Sequence, residues 1–216
     1  LMIPAHVVRS KLRYIATDRG YHPFEDFLDA LAREPGKGWD GIDRLQALFN
    51  TVRVAPEAEE LRDLILRKWL ASVIAAARRL YGPGENPRGV LVFTGSQYSG
   101  KTTWLRRLFA GLYPGAEACF LDGAHFDGTK DAVMKVTGRL VTELGELDST
   151  LKGEISLLKA FLSSAEDAYR LPYGSEVEVF PRRTVFAGTV NRADFLKDQS
   201  GNTRFWTLAT DRLDLD

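Results

Sequence analysis

The sequence is poor in the residues that form disulfide bonds and zinc sites. Its 216 residues include one cysteine and three histidines. Cys119 alone cannot form an internal disulfide, and His6, His22 and His125 show no zinc-ligand spacing. We therefore expect no internal disulfide and no zinc site. A reduced, cytoplasmic environment fits this cysteine usage best.

Net charge and long apolar runs are lacking as well. The 29 lysines and arginines balance 29 aspartates and glutamates, so the formal net charge is zero. This balance argues against a globally basic protein that coats nucleic acid. The longest apolar run, 69–77, is about half of the roughly 20 residues that cross a bilayer, and basic residues flank it. We expect a buried helix there and no membrane partner.

The hydrophobic pattern changes near residue 86. Before it, apolar residues recur at helical spacing, and the segment 81–87 is dense in glycine and proline. Beyond it, apolar strands alternate with helices, which is typical of a parallel sheet covered on both faces. We predict a helical amino-terminal region over 1–86 and an α/β core over 87–216. We also expect the chain to be part of a longer protein.

The pattern of the core predicts individual elements. Strands are predicted at 90–94, 118–121, 139–144, 184–189 and 205–208. Helices are predicted at 101–111, 127–136 and 154–164, and a hairpin is predicted over 169–180.

A phosphate-binding pattern follows the first of these strands. Residues 95–102 read G-S-Q-Y-S-G-K-T, a complete G-x-x-x-x-G-K-S/T loop between an apolar strand and a predicted helix. Its glycines allow backbone N–H groups to face a phosphate. Lys101 would reach the β- and γ-phosphates, and the Thr102 hydroxyl would hold Mg²⁺. The predicted nucleotide-binding residues are Gly95, Ser96, Gln97, Tyr98, Ser99, Gly100, Lys101, Thr102 and Thr103.

Two carboxylates and an amide follow later strands. Glu143 ends an apolar strand, where its carboxylate could reach the metal, and Glu146 comes soon after. Hydrolysis needs one group to organise Mg²⁺ and another to orient or deprotonate water, and the sequence leaves open which glutamate activates water. Asn191 follows the strand 184–189 and could hold that water through its amide. The alternatives are solvated glutamates and an ordinary turn asparagine.

Arg204 lies in a predicted turn directly before the aromatic strand 205–208. Its guanidinium could neutralise charge that develops on the γ-phosphate, most usefully from a neighbouring subunit. The alternative is a structural arginine paired with Asp194 or Asp198. The two roles are compatible.

Taken in order, these motifs resemble the virulence-associated protein E family, which is related to the superfamily-three helicases of phages and plasmids. The resemblance is carried by residues 21–24, 38–45, 95–102, 143–147, 158–164, 169–174, 188–191 and 198–206. It implies a P-loop ATPase core similar to AAA+ proteins and superfamily-three helicases, with ATP and Mg²⁺ as ligands and a homo-oligomeric ring, such as a hexamer, as the assembly. Thr203 departs from the expected arginine before Arg204.

The resemblance also implies that a hairpin between the acidic strand and the asparagine strand engages single-stranded DNA. Candidate contacts are Lys159, Arg170, Tyr173, Arg182 and Arg183. Tyrosine could stack on bases, and cations could contact phosphates. Acidic residues are interleaved with these cations, so a solvated surface of mixed charge is an equal alternative.

The favoured function is a Mg²⁺-dependent ATP hydrolase that couples hydrolysis to translocation on single-stranded DNA, or to its unwinding, during replication of a phage, plasmid or genomic island. The alternative is a nucleotide-regulated initiation or helicase-loader module with little hydrolysis. A small-molecule nucleotide kinase shares the phosphate loop but requires an arginine-rich lid, for which the sequence gives no sign.

Overall fold

A computed structural model of the chain describes residues 4–5, 7–8, 11–12, 22–36, 39–82, 85–87, 89–145, 147–171, 176–191 and 202–215, without the side chains of 148–154 and 202. The chain divides into two compact units, Leu1–Asp40 and Gly41–Asp216. The boundary between them therefore precedes the one predicted near residue 86.

The helices and strands of the described residues are named in chain order. The helices are α1 (Pro23–Arg33), α2 (Leu45–Asn50), α3 (Glu59–Ala77), α4 (Lys101–Arg107), α5 (Lys130–Thr137) and α6 (Leu147–Ser163). The strands are β1 (Val52–Arg53), β2 (Val90–Thr94), β3 (Phe120–Ala124), β4 (Val141–Leu144), β5 (Glu166–Tyr169), β6 (Glu178–Pro181), β7 (Val185–Val190), β8 (Phe205–Ala209) and β9 (Arg212–Leu213). Short 3₁₀ turns lie at Pro56–Ala58, Ala116–Cys119 and Asn202–Arg204.

In the first unit, helix α1 begins with a side-chain cap and a proline. Nδ1 of His22 accepts a hydrogen bond from the Glu25 backbone N–H at 3.2 Å, and Pro23 occupies the first turn. Proline suits this position because its missing N–H would have no helical partner there. Phe24 is buried and packs against Phe27.

A parallel five-stranded sheet forms the core of the second unit. Its strand order is β3-β4-β7-β2-β8, and all four pairings are parallel. Strands β2 and β4 are buried along their whole length, as expected for a sheet with helices on both faces. The predicted α/β class is confirmed.

Helix α3 packs on this sheet and belongs to the second unit. The indole nitrogen of the fully buried Trp69 donates a hydrogen bond to the carbonyl oxygen of Phe186 in β7, at 2.9 Å. The Arg183 guanidinium donates to the carbonyl oxygens of Ala76 and Ala77 at the end of α3. The sequence grouped α3 with the amino-terminal region because its helical periodicity does not reveal which element its apolar face covers.

Two small antiparallel ribbons accompany the sheet. Strands β1 and β9 pair with each other, and the Trp104 indole N–H in α4 donates to the Thr51 hydroxyl beside β1, at 2.7 Å. Strands β5 and β6 form the predicted hairpin, and residues 172–175 of its turn lie outside the described residues.

All strands of the five-stranded sheet run in the same direction. We call the edge at which they begin the amino edge and the opposite edge, at which they end, the carboxyl edge.

Candidate nucleotide-binding site

The predicted phosphate-binding loop, residues 95–102, lies at the carboxyl edge of the sheet, between β2 and α4, and is called the phosphate loop. Gly95 has φ +155°, and a Cβ atom on it would lie 2.4 Å from the Thr210 carbonyl oxygen. Gly100 has φ +90° and precedes the first turn of α4 in the left-handed region. Both positions therefore require glycine, one for space and one for conformation.

Lys101 is almost fully buried under this loop. Its Nζ donates to the carbonyl oxygens of Gly95 and Ser96 at 3.0 and 2.7 Å and lies 3.4 Å from Oδ1 of Asn191. Burial lowers the pKa of the Lys101 ammonium, while the charge of Glu143 acts in the opposite direction. Lys101 and Asn191, 90 positions apart in the chain, are thus brought together.

Glu143 is the buried acid of the site, with 1% of its surface exposed. Its Oε1 accepts hydrogen bonds from the hydroxyls of Thr102 and Thr189 at 2.7 and 2.8 Å. Its Oε2 lies 3.4 Å from the backbone nitrogen of Gly123. Three donors from three different elements therefore orient one carboxylate, which stabilises its charge away from water.

Thr189 was not among the residues predicted for the site. Strand β7 lies between β2 and β4, so a residue near its end spans the gap between the phosphate loop and Glu143. The sequence contains a signal for Thr189, because this residue carries a hydroxyl in an otherwise apolar strand and lies two positions before Asn191. Alternation along a strand places residues two apart on the same face.

A cavity of about 420 Å³ opens beside the loop. Its lining includes Ser96, Asn191 and Asp211, the last an exposed acid between β8 and β9 that was not among the predicted site residues. Tyr98 of the loop is 95% exposed and has φ +64°, which is unusual for a residue other than glycine. Among the other predicted loop residues, Gln97 is exposed, and Ser99 and Thr103 are half-buried.

Arg204 lies at the opposite, amino edge of the sheet. The register pairs Phe205 with Val90 at the start of β2 and Ala209 with Thr94 at its end. Four residues of strand, about 13 Å, therefore separate the level of Arg204 from the loop. Its Nε donates to the Ser163 hydroxyl at 2.7 Å. Within one chain Arg204 does not join Lys101. Glu146, Asp194 and Asp198 lie outside the described residues.

The predicted DNA contacts fall into three groups. Arg182 is buried, pairs with the buried Asp167 and stacks its guanidinium 4.2 Å from the Phe161 ring centre. It was predicted as a DNA contact, but it forms an ion pair in the core. Arg183 caps the end of α3. Lys159 is half-buried and Arg170 is exposed, whereas Tyr173 lies outside the described residues.

In the part of the chain that the structure describes, no group of three or more histidine, cysteine, aspartate or glutamate side chains lies close enough to hold a metal ion. No helix in that part combines the length and apolarity needed to span a membrane.

Comparison with known proteins extends the description of the chain. Residues 34–216 match the family described as the Virulence-associated protein E-like domain. Two solved apo structures of the NrS-1 C-terminal region each align with 80% of this chain, at TM-scores of 0.51 and 0.54 and identities of 15% and 11%. The chain spans only 38% and 39% of those structures, and at such identity the likeness concerns the fold. No curated protein matches the chain.

Proposed function

Because the chain belongs to the Virulence-associated protein E-like domain family, we propose that it is the P-loop ATPase core of a replication protein of a phage, plasmid or genomic island. It would couple Mg²⁺-dependent ATP hydrolysis to translocation on single-stranded DNA or to its unwinding. One observation carries the proposal: Lys101, Thr102 and Glu143 meet under a loop that needs glycine at both ends. This is the set of groups that phosphoryl transfer to water uses.

The residues around Lys101 fit a phosphate. The ammonium is held by neutral carbonyl oxygens of the loop. A phosphate oxygen would offer the same ammonium a charged acceptor, and charge-assisted hydrogen bonds are the stronger kind. The negative charge would also oppose the effect of burial, which lowers the pKa of Lys101.

The residues around Glu143 fit Mg²⁺. This ion is usually held by one or two protein oxygens together with substrate phosphates, and the Thr102 hydroxyl and the Glu143 carboxylate are oxygens of that kind. When bound, Mg²⁺ would neutralise charge on the phosphate oxygens. Thr189 would keep Glu143 oriented, and Asn191 would orient the attacking water through its amide.

Substitution of the two central residues tests this assignment. We expect Lys101→Ala to abolish ATP binding, and Glu143→Gln to keep binding but to lower turnover about 100-fold, since the loss of a preorganised charge costs roughly that much. Lys68→Ala, at an exposed lysine of α3, is the matched control. Unchanged turnover in Lys101→Ala would refute the ATPase. Binding without DNA-stimulated turnover in the unaltered chain would favour the loader alternative.

The position of Arg204 supports a ring. Arg204 stands at the amino edge and lies too far from the phosphate loop of its own chain, so its guanidinium could serve only the loop of another copy. A homo-oligomeric ring, such as a hexamer, would bring the amino edge of one copy close to the phosphate loop of the next. We expect Arg204→Ala and Lys101→Ala each to be inactive alone, and their mixture to regain part of the turnover. No recovery on mixing, at concentrations where assembly is observed by sedimentation, would contradict a shared site.

A further inference from the structure

A cavity of about 590 Å³ lies at the amino edge of the sheet, away from the phosphate loop. Its walls come from the end of α3, the loop after α3, the last residue of α5 and the hairpin β5–β6. The volume lies in the range of small-molecule sites. The function proposed above makes no use of this space.

One wall of the cavity is aromatic. The rings of Tyr169 and Phe180 stack across the hairpin with centroids 4.7 Å apart and an angle of 22° between their planes. Tyr81 contributes a further ring from the loop after α3. Burial raises the pKa of both tyrosines, and their side chains hydrogen bond to Ser72 (Tyr81) and Thr137 (Tyr169). The wall therefore suits a flat, uncharged group.

The charges beneath this wall already have partners. Asp167 and Arg182 form a buried bidentate pair, and Arg183 donates to the carbonyl oxygens at the end of α3. A charged ligand would have to compete with these contacts, whereas a neutral ring would leave them intact. The floor of the cavity thus favours a neutral ring as well.

The rim of the cavity is polar and includes Arg79, Glu85 and Glu166, all exposed. These side chains supply both hydrogen-bond donors and acceptors. An aromatic side chain of a protein partner could fill the space but would make little use of such a rim, whereas the edge of a nucleobase presents donors and acceptors together.

Arg79 occupies a position at which glycine is preferred. It follows helix α3 in the left-handed region, with φ +53°. Its N–H donates to the Ala76 carbonyl oxygen at 3.4 Å, and the Leu80 N–H donates to the Ala75 carbonyl oxygen at 2.9 Å, which is the Schellman pattern that glycine usually completes. An arginine held there against its backbone preference indicates that its side chain is used.

We propose that this cavity is a second nucleotide site, which stacks a nucleobase on Tyr169 and Phe180 and holds the attached phosphate near Arg79. The nucleotide could belong to a single strand or be free in solution, since both present the same chemistry. The proposal does not depend on ATP hydrolysis at the phosphate loop.

Photochemical crosslinking tests the site directly. An oligothymidylate carrying one 5-iodouracil, and separately free 5-iodo-dUMP, would be irradiated with the whole chain in the absence of ATP, because ATP is itself a nucleotide and would compete for the proposed site. We expect crosslinks on Tyr169, Phe180 or Tyr81 by mass spectrometry. A crosslink from the oligonucleotide alone assigns the site to a single strand, and one from both probes assigns it to nucleotides in general. Lys101→Ala should give the same crosslinks, so failure of the ATPase leaves this result readable.

Two variants decide between binding and folding effects. Tyr169→Leu should lower the crosslink yield and weaken binding roughly tenfold, since stacking on one base contributes about that much. Arg79→Gly should also weaken binding while raising Tm by about 2 °C, because glycine accepts the left-handed conformation. Arg33→Ala, at an exposed arginine of α1, controls for the lost charge.

Several outcomes would overturn the proposal. Crosslinks only outside the cavity would do so, as would crosslinks that neither Arg79→Gly nor Tyr169→Leu reduces. A change in oligomeric mass in Arg79→Gly with unchanged nucleotide affinity would assign the cavity to a protein contact instead. Because Arg79→Gly is expected to be more stable than the original chain, misfolding cannot account for a loss of binding.

Discussion

The two edges of the central sheet hold buried charges in different ways. At the carboxyl edge, Lys101 and Glu143 belong to a network that links the phosphate loop, α4 and β7. At the amino edge, Arg182 pairs with one carboxylate, and Arg183 binds backbone carbonyls. At the carboxyl edge neutral groups hold each charge, carbonyl oxygens for Lys101 and hydroxyls for Glu143. At the amino edge, by contrast, the carboxylate of Asp167 neutralises Arg182. Burial of a charge therefore does not by itself identify a functional residue.

The largest expected effect concerns the ion pair at the amino edge. Asp167→Ala leaves the Arg182 guanidinium buried without its carboxylate, and we expect the free energy of unfolding to fall by about 4 kcal/mol. Urea denaturation measures the loss. Asp122→Ala removes the exposed partner of Arg106 and should cost less than about 1 kcal/mol. Equal losses in the two variants would show that Asp167 is no more than a surface partner.

A second prediction sharpens the account of the carboxyl edge. Thr189→Val removes one of two hydroxyl donors to Glu143, so we expect turnover to fall about tenfold and the Mg²⁺ requirement to rise, since a hydrogen bond to a buried charge contributes about 1.5–3 kcal/mol. Thr189→Ser keeps the hydroxyl and should restore both.

Thr142→Val provides the control for this substitution. Thr142 is a fully buried threonine in the neighbouring strand β4, and its hydroxyl donates to the Val136 carbonyl oxygen and not to Glu143. We expect it to lower stability without a change in the Mg²⁺ requirement. Equal Mg²⁺ effects of Thr142→Val and Thr189→Val would mean that Thr189 acts through packing alone.

The sequence predicts the carboxyl edge better than the amino edge for physical reasons. Strand β2 has its predicted bounds, because a buried parallel strand is a continuous apolar run, and the loop motif fixes its own geometry. Arg182 was misread because a charge gives no sign of its depth when its partner, Asp167, is 15 positions away. Helix α6 begins at Leu147, before its predicted start at residue 154. The prediction missed its first turns because they contain serine, threonine and glycine, which have low helix propensity.

The smallest expected effect joins the two edges. Among the described residues, only Tyr98 in the phosphate loop and Arg79 after α3 combine a positive φ with a side chain. The left-handed conformation costs a residue other than glycine about 1–2 kcal/mol. Substitution by glycine removes this cost, but part of the gain is lost because glycine has more conformational entropy in the unfolded chain. We therefore expect Tyr98→Gly to raise the free energy of unfolding by about 0.5–1 kcal/mol in thermal denaturation. Because the tyrosine ring is almost fully exposed, it contributes little packing energy that the substitution would remove. If turnover falls while stability rises, the ring acts on the ligand or on a neighbouring copy, as we infer for Arg79 at the other edge. If stability falls instead, the left-handed conformation at Tyr98 is not strained, and the parallel between the two edges fails.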